Sequence, residues 1–436
     1  MDEQSRRSFL KTSGATAAAV GIGLAGISSS YAANEKVRAG VVGIRGRGRS
    51  HINGLNRLPG VEVVALCDVD ENETRKRVDE LAKASKSTPR TYVDQRKMLE
   101  DKDLDVVSIA TPNHWHSLGA IWAMQAGKDV YVEKPCSHNI YEGRKLVQAA
   151  ASTKRVCQHG TQIRSHAGLQ EAMQLLRDGV IGEVYMAKGL CYKWRNTIGK
   201  TPETPPPAGV HYDVWLGPAS ERAYSRNRFH YNWHWHWDYG NGDIGNQGVH
   251  QMDVARWGLD VGYPAKVQSM GGHYMFDDDQ ETPNTQVTTF EYPDEKKMLV
   301  FEVRHWVTNN ENVGATGGNA VGDIFYGSEG IMVIPSYDSY KVFLGRKHEL
   351  GPEGKAGGNH FGNFIDAVRA GDPSMVSAPI EEGHISSALC HLANAAYRVG
   401  RTLTFDPATE KCVGDTEANA LLTRNYRAPY TIPDVS

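Results

Sequence analysis

The chain has 436 residues, a formal net charge of −3 and 40% hydrophobic residues. That length suffices for two domains with cores of their own, and the balanced charge excludes nucleic acid or an anionic membrane as the expected partner. Nine Trp and nineteen Tyr suit flat amphipathic ligands such as sugars, although large aromatics more often serve as core.

Residues 1–32 read as an export signal rather than as fold. Ser5-Arg6-Arg7-Ser8-Phe9-Leu10-Lys11 carries the twin arginines, Thr12 to Ile27 is a run of small apolar residues, and Ser30-Tyr31-Ala32 offers a cleavage site before Ala33. The run is too short and too rich in Gly and Ala for a transmembrane helix, so the mature protein is expected without stable membrane insertion, in the periplasm or secreted. This pathway carries folded proteins, typically those that bind a cofactor before leaving the cytoplasm. The six cysteines form no C-x-x-C or zinc spacing, and Cys67, within an apolar strand, reads as a buried thiol.

Lys36 to Val42 reads as a buried strand running into Gly43-Ile44-Arg45-Gly46-Arg47-Gly48 and a helix from Arg49 to Arg57. Strand Val61 to Asp68, helix Glu71 to Lys83, strand Asp105 to Ala110, helix His116 to Ala126 and strand Asp129 to Glu133 follow. This alternation predicts an α/β fold with a doubly wound parallel sheet, a Rossmann domain over residues 36–155. Residues 156–436 read as a second α/β domain with a large, mostly antiparallel, open sheet. Its expected strands are Glu183 to Lys193, Gln286 to Tyr292 and Lys297 to Trp306, the last two forming a hairpin, and a further strand, Val156 to Gly160, is expected before Gln162. Lys200 to Val210 is proline-rich and irregular, Asn309 to Gly322 reads as a mobile loop, and helices are expected at His360 to Ala370 and Ile385 to Val399.

A strand entering a glycine turn that opens a helix is the geometry that receives a dinucleotide pyrophosphate. Here Gly43 and Gly48 stand at the outer positions, Arg45 replaces the usual second glycine, and Gly46 lies one place later. Asp68 ends the second strand, where a carboxylate binds the adenosine ribose hydroxyls and repels a 2′-phosphate. NAD is therefore the expected cofactor; Arg45 and Arg47, each able to meet a phosphate, leave NADP as the alternative. Thr111, Asn113 and His116, and then Glu133-Lys134-Pro135, sit at the ends of predicted parallel strands, where such sheets bind ligands. Read alone, Lys134 is equally a solvated loop lysine.

The Gly43–Gly48 turn, Asp68, Thr111-Pro112-Asn113 with His116, and Glu133-Lys134-Pro135 resemble the glucose–fructose oxidoreductase, inositol dehydrogenase and rhizopine-catabolism (Gfo/Idh/MocA) family. Asn359-His360-Phe361 and Glu381-Glu382-Gly383-His384 are similar to its closing helices. The resemblance implies a nicotinamide in the first domain, with the second forming the substrate cleft and the interface of a homodimer or homotetramer. It implies that Lys134 lies beside the nicotinamide and the substrate hydroxyl. It also places Asn246 and His250 at the family's Asp-x-x-x-His positions on a helix, with Asn where the acid stands. General-base work then falls on His250, with Lys134 polarising the oxygen. Gln162 and Arg164 are further candidates against nicotinamide or substrate, and Tyr192, Trp194, Arg195 and Trp237 against a sugar. Core aromatics and a surface arginine are the equal alternative for these.

The implied chemistry is oxidation of a sugar, glycoside or cyclitol hydroxyl by an enzyme that, once exported, holds its cofactor and recycles it in place. A redox-neutral glycosidase of the family 109 type is the alternative, although its Tyr-Pro-Thr-His-Gly is absent. A non-catalytic sugar-binding protein is a third. The run Tyr231 to Tyr239 alternates, so an extended chain is expected, with Trp233, Trp235 and Trp237 on one face and His234 and His236 on the other. No carboxylate or Cys completes a metal set there, so no metal is expected.

Overall fold

The computed structural model describes residues 36–84, 88–306 and 319–435. The export signal and most of the expected 309–322 loop lie outside these, although Ala320–Gly322 already belong to a strand.

Six strands build the first sheet: β1 (Val37–Val42), β2 (Val61–Cys67), β3 (Arg90–Tyr92), β4 (Val106–Ile109), β5 (Asp129–Val132) and β6 (Cys157–His159). All pairs are parallel, in the order β3-β2-β1-β4-β5-β6, so the chain reverses its direction of travel between β1 and β4. That switch point is where an open α/β sheet leaves a crevice at its carboxyl edge. All four residues of β4 are buried, as an apolar strand covered on both faces must be. One face packs against the helix Asn113–Gln125 through Ile121 and Met124, the other against α1 (Arg47–Asn56) through Ile52 and Leu55.

The other helices of this domain are α2 (Glu71–Ala84), α3 (Gln95–Leu99), α4 (Asn113–Gln125) and α5 (Ile140–Thr153). Three elements of this domain are not among the expected ones: β3 and α3, too short to show a period, and the longer α5. Helix α4 begins at Asn113, three residues before the expected start, directly after the extended Pro112.

The second sheet has ten strands. These are β7 (Val184–Lys193), β8 (Lys266–Gly272), β9 (Thr285–Tyr292), β10 (Lys297–His305), β11 (Ala320–Gly327), β12 (Gly330–Ile334), β13 (Ser339–Leu344), β14 (Glu349–Lys355), β15 (Leu403–Asp406) and β16 (Lys411–Cys412). Their order is β14-β13-β12-β11-β7-β10-β9-β8-β15-β16. Only β7 with β10 is parallel, and β9–β10 is the expected hairpin. Helices α6 (Ala167–Arg177), α7 (Tyr212–Leu216), α8 (Gly242–Asn246), α9 (Gly248–Leu259), α10 (His360–Ala370) and α11 (Ile380–Val399) accompany it. Leu169 and Met173 of α6, Met252 of α9 and Leu389 of α11 share one core with Phe290 and Phe301 of the sheet. Helix α11 starts five residues before the expected Ile385, because Pro379 precedes it and Glu381 and Glu382 favour its positive N-terminal end.

Helix α10 crosses between the domains. Its Phe364 and Ile365 complete the core of the first sheet, and His360 donates from Nε2 to His159 O over 2.9 Å. All six cysteines are buried and unpaired. No helix among the described residues is long and apolar enough to cross a membrane.

Candidate active site

A cleft of about 660 Å³ opens at the carboxyl edge of the first sheet, between the two domains. Its first wall is the glycine turn. Gly43 has φ +76°, and a Cβ there would lie 2.8 Å from the Ala110 carbonyl oxygen. A Cβ on Gly48 would lie 1.8 Å from the Gly43 carbonyl oxygen, so α1 can approach β1 only through glycine. Gly46 has φ +43° with no atom within 4 Å of a would-be Cβ, so its backbone is open to a ligand. Helix α1 has neither a side-chain cap nor an acid in its first turn, which leaves its N–H groups to an anion.

Asp68 lies beyond the turn, accepting the Ile44 and Asp70 N–H groups at 2.9 Å each. Burial raises its pKa to about 6 against those hydrogen bonds. Arg45 reaches Glu73 at 3.5 Å and Arg47 reaches Glu133 at 2.7 Å, so each arginine already faces a carboxylate. Thr111 Oγ1 and Asn113 Nδ2 are buried without partners on the cleft wall. Orphaned polar atoms beside an open glycine turn fit a bound dinucleotide.

Glu133 is the hub below the floor. Its Oε1 accepts from Arg47 at 2.7 Å, His51 at 2.9 Å and Gln162 at 3.1 Å. Burial raises its pKa, but Arg47 and His51 outweigh that and hold the carboxyl well below the usual range. Lys134 projects from the same strand end, and burial lowers its pKa to about 8 against the pull of Glu133. His116 places Nδ1 2.6 Å from Pro135 O and Nε2 2.8 Å from Thr111 O, tying together the two loops that carry Thr111 and Lys134.

The second domain supplies the opposite wall: Trp233, His234, Asn246, His250 and Tyr337. The spacing of Asn246 and His250 predicts one shared helix, but the two lie on different helices. Helix α8 ends at Asn246, and α9 starts at Gly248. Asn246 meets Lys134 through its backbone carbonyl, which accepts from Nζ, while its amide Nδ2 donates to Asp243 at 3.0 Å. His250 packs against Tyr337 at 5.1 Å between ring centroids, and its Nδ1 is buried without a partner. Burial, then the Lys134 ammonium, push its pKa well below the ordinary histidine value, so the near-neutral base expected there is an uncharged imidazole instead.

Five expected ligand contacts lie away from the cleft. Arg164 is buried in a bidentate pair with Asp253 at 2.8 and 2.9 Å, and its guanidinium covers Trp257. Tyr192 is fully buried, donating to Glu302 at 2.8 Å. Trp237 packs beside Tyr397 and Arg398. Trp194 and Arg195 line a neighbouring cavity of about 540 Å³, with Arg195 bound to Asp243 at 2.7 Å. Gln162, by contrast, does line the cleft, donating to Tyr131 at 3.0 Å.

The run from Tyr231 is not extended. Asn232–Trp235 form a turn of 3-10 helix, because the Tyr231 and Trp233 carbonyls accept the His234 and His236 N–H groups. The alternation in the letters therefore sorts no faces. Trp233 and His234 turn into the cleft together, and Trp235 and His236 are buried. Tyr337, from the turn between β12 and β13, carried no sequence signal at all. Among the described residues no group of three or more His, Cys, Asp or Glu is arranged to hold a metal ion.

A dinucleotide-type sheet, an open glycine turn with an acid at the next strand end, and a lysine facing a second sheet domain define a nicotinamide-dependent oxidoreductase. The comparisons narrow this. Residues 37–161 match the Gfo/Idh/MocA NAD-binding Rossmann fold, and residues 169–432 match the C-terminal alpha/beta domain of the same oxidoreductase family. The chain belongs to the Gfo/Idh/MocA oxidoreductase family, and its cofactor is NAD. Residues 3–23 match the twin-arginine signal, which directs export to the periplasm or beyond.

A glycosyl hydrolase family 109 protein of Saccharopolyspora erythraea is 32% identical over 211 residues, 42% of this chain and 45% of that protein. One of Solibacter usitatus is 36% identical over 201 residues, with the same coverage. The chain thus spans under half the length of these curated relatives. The WlbA dehydrogenase of Bordetella pertussis, solved with NADH and UDP-GlcNAcA, superposes with a TM-score of 0.64 at 20% identity, covering 85% of this chain and 99% of that one.

Proposed function

We propose that the cleft oxidises a carbinol carbon of a sugar, glycoside or cyclitol, with NAD held tightly and re-oxidised in place by passing the hydride to a second carbonyl compound, which is reduced to the alcohol. The observation that carries this reading is one shared cleft: Lys134, Asn246 and His250 line it together with the Gly43–Gly48 turn and Asp68. NAD, when bound, supplies the hydride-accepting carbon. The glycine turn and the first N–H groups of α1 hold its pyrophosphate, Asp68 its adenosine ribose hydroxyls, and Thr111 and Asn113 its polar edge nearer Lys134. Lys134, with a pKa lowered to about 8, takes the substrate hydroxyl proton in its neutral form while the Asn246 carbonyl fixes Nζ. His250, uncharged, orients that hydroxyl. Export supports tight retention, because no useful NAD pool exists outside the cytoplasm.

A redox-neutral glycosidase is the second reading, favoured by the family 109 names of the curated relatives. Incubation of the NAD-loaded protein with free sugars and with aryl glycosides separates the readings. A keto sugar is expected for the oxidoreductase, and released aglycone without net NADH for the glycosidase. Tight sugar binding with neither product overturns both and leaves a binding protein.

A further inference from the structure

The chemistry above leaves two imidazoles of the cleft, His230 and His234, without a role, and His230 already faces Asp70 at 3.4 Å. His234 is half-buried and lines the cleft beside Lys134, Asn246 and His250. Its Nδ1 lies 2.5 Å from the Tyr231 carbonyl oxygen. A carbonyl oxygen only accepts, so Nδ1 carries the hydrogen, and in the neutral ring Nε2 carries a lone pair. Burial first, and then the neighbouring Lys134 and Arg195 cations, lower the ring's pKa against the Tyr231 hydrogen bond and keep it neutral. The ring is also held rigidly. It stacks on Trp233 at 3.6 Å with an interplanar angle of 19°. From below, a Cβ on Gly240 would lie 2.6 Å from His234 Cα, so that glycine's backbone is packed directly against the segment.

A fixed acceptor of this kind discriminates by charge and by hydrogen. It repels a carboxylate or phosphate, which brings lone pairs against its own, and two nearby cations disfavour an ammonium. A neutral O–H satisfies it. We propose that His234 Nε2 is a specificity-determining acceptor that reads one ring hydroxyl of a neutral polyhydroxylated substrate. This rests on the sugar reading given above and deepens it. An analogue lacking that hydroxyl leaves the acceptor unpaired, and such a site rejects the analogue more strongly than it rewards the hydroxyl.

The test uses the mature chain saturated with NAD and titrated calorimetrically with D-glucose, D-galactose and myo-inositol. Each is then compared with forms in which one hydroxyl at a time is replaced by hydrogen. For a parent sugar that binds, one deoxy form is expected to bind about tenfold or more weakly. In His234→Asn, which keeps a donor to Tyr231 but places no acceptor at Nε2, that difference is expected to shrink to about twofold. His234→Phe keeps the stacking on Trp233, loses both nitrogens, and is expected to behave alike; retained NAD shows that each variant is folded. A deoxy series that loses the same factors in wild type and in both variants overturns the proposal while the sugar reading stands. Failure of every parent sugar to bind wild type overturns the sugar reading and this inference with it.

Discussion

Lys134 donates from Nζ to the backbone carbonyl of Asn246, 112 residues further along the chain, so the two domains meet at the amine proposed to do the chemistry. The contact aims the amine without neutralising it, because a carbonyl carries no charge. Glu133, the nearest counter-charge, is already engaged with Arg47 and His51.

The pH dependence of oxidation follows. Burial lowers the Lys134 pKa to about 8, so the neutral, proton-accepting form grows as pH rises through that value. Nicotinamide reduction is expected to rise through about pH 8 and level off above it. In Lys134→Arg the guanidinium stays charged, so the rise disappears and the rate drops about a hundredfold or more, with NAD still bound. Initial rates from about pH 6 to about pH 10 check this, and an unchanged profile removes Lys134 as the base.

Cofactor affinity has its own titration. Asp68 must be ionised to accept two ribose hydroxyls, and burial raises its pKa to about 6. NAD affinity is expected to weaken as pH falls through about 6. Asp68→Asn should bind NAD about tenfold more weakly near neutrality and lose the pH dependence. Calorimetric titration of NAD at several pH values measures both.

Arg164 makes a contrasting prediction, because its guanidinium is spent on buried Asp253. Arg164→Ala leaves that carboxylate uncompensated and is expected to cost about 3–5 kcal/mol of stability. Denaturant unfolding reads the loss. Sugar affinity, measured where the variant is folded, should be unchanged; a selective loss of affinity would return Arg164 to the cleft.

One face of the ten-stranded sheet presents Met270 and Val287, 71% and 41% exposed, as cross-strand partners, and Met298 of β10, paired with Glu291, is 38% exposed. We propose that this face joins two copies of the chain. Wild type is expected to sediment as a dimer or tetramer and Val287→Glu as a smaller species. A monomeric wild type sinks the idea.

Much of the site was legible because its signals are local. Gly43, Gly48 and Asp68 are demanded by one turn and one strand end, and the apolar runs of β1, β2 and β4 identify a sheet covered on both faces. What misled was also local. The alternating Trp and His of 233–237 imitate a strand, yet the segment coils because its carbonyls find amide partners three residues on. Asn246 and His250 have the spacing of one helical face, yet the helix breaks at Gln247.

By itself, then, the sequence determined the export signal, the dinucleotide-binding half and the lysine at its carboxyl edge. Each rests on residues a few positions apart, where backbone sterics and hydrogen bonding set the outcome. Only the tertiary structure decided what faces that lysine. Asn246 offers its carbonyl, and His234 and Tyr337 join it in the cleft lining, because α8, the 3-10 turn and the β12–β13 connection converge there. The same convergence withdraws Arg164, Tyr192 and Trp237 into pairs with Asp253, Glu302 and Arg398. Which partner a buried polar or aromatic side chain finds is settled by packing between segments distant in the chain, and no spacing of letters encodes that distance.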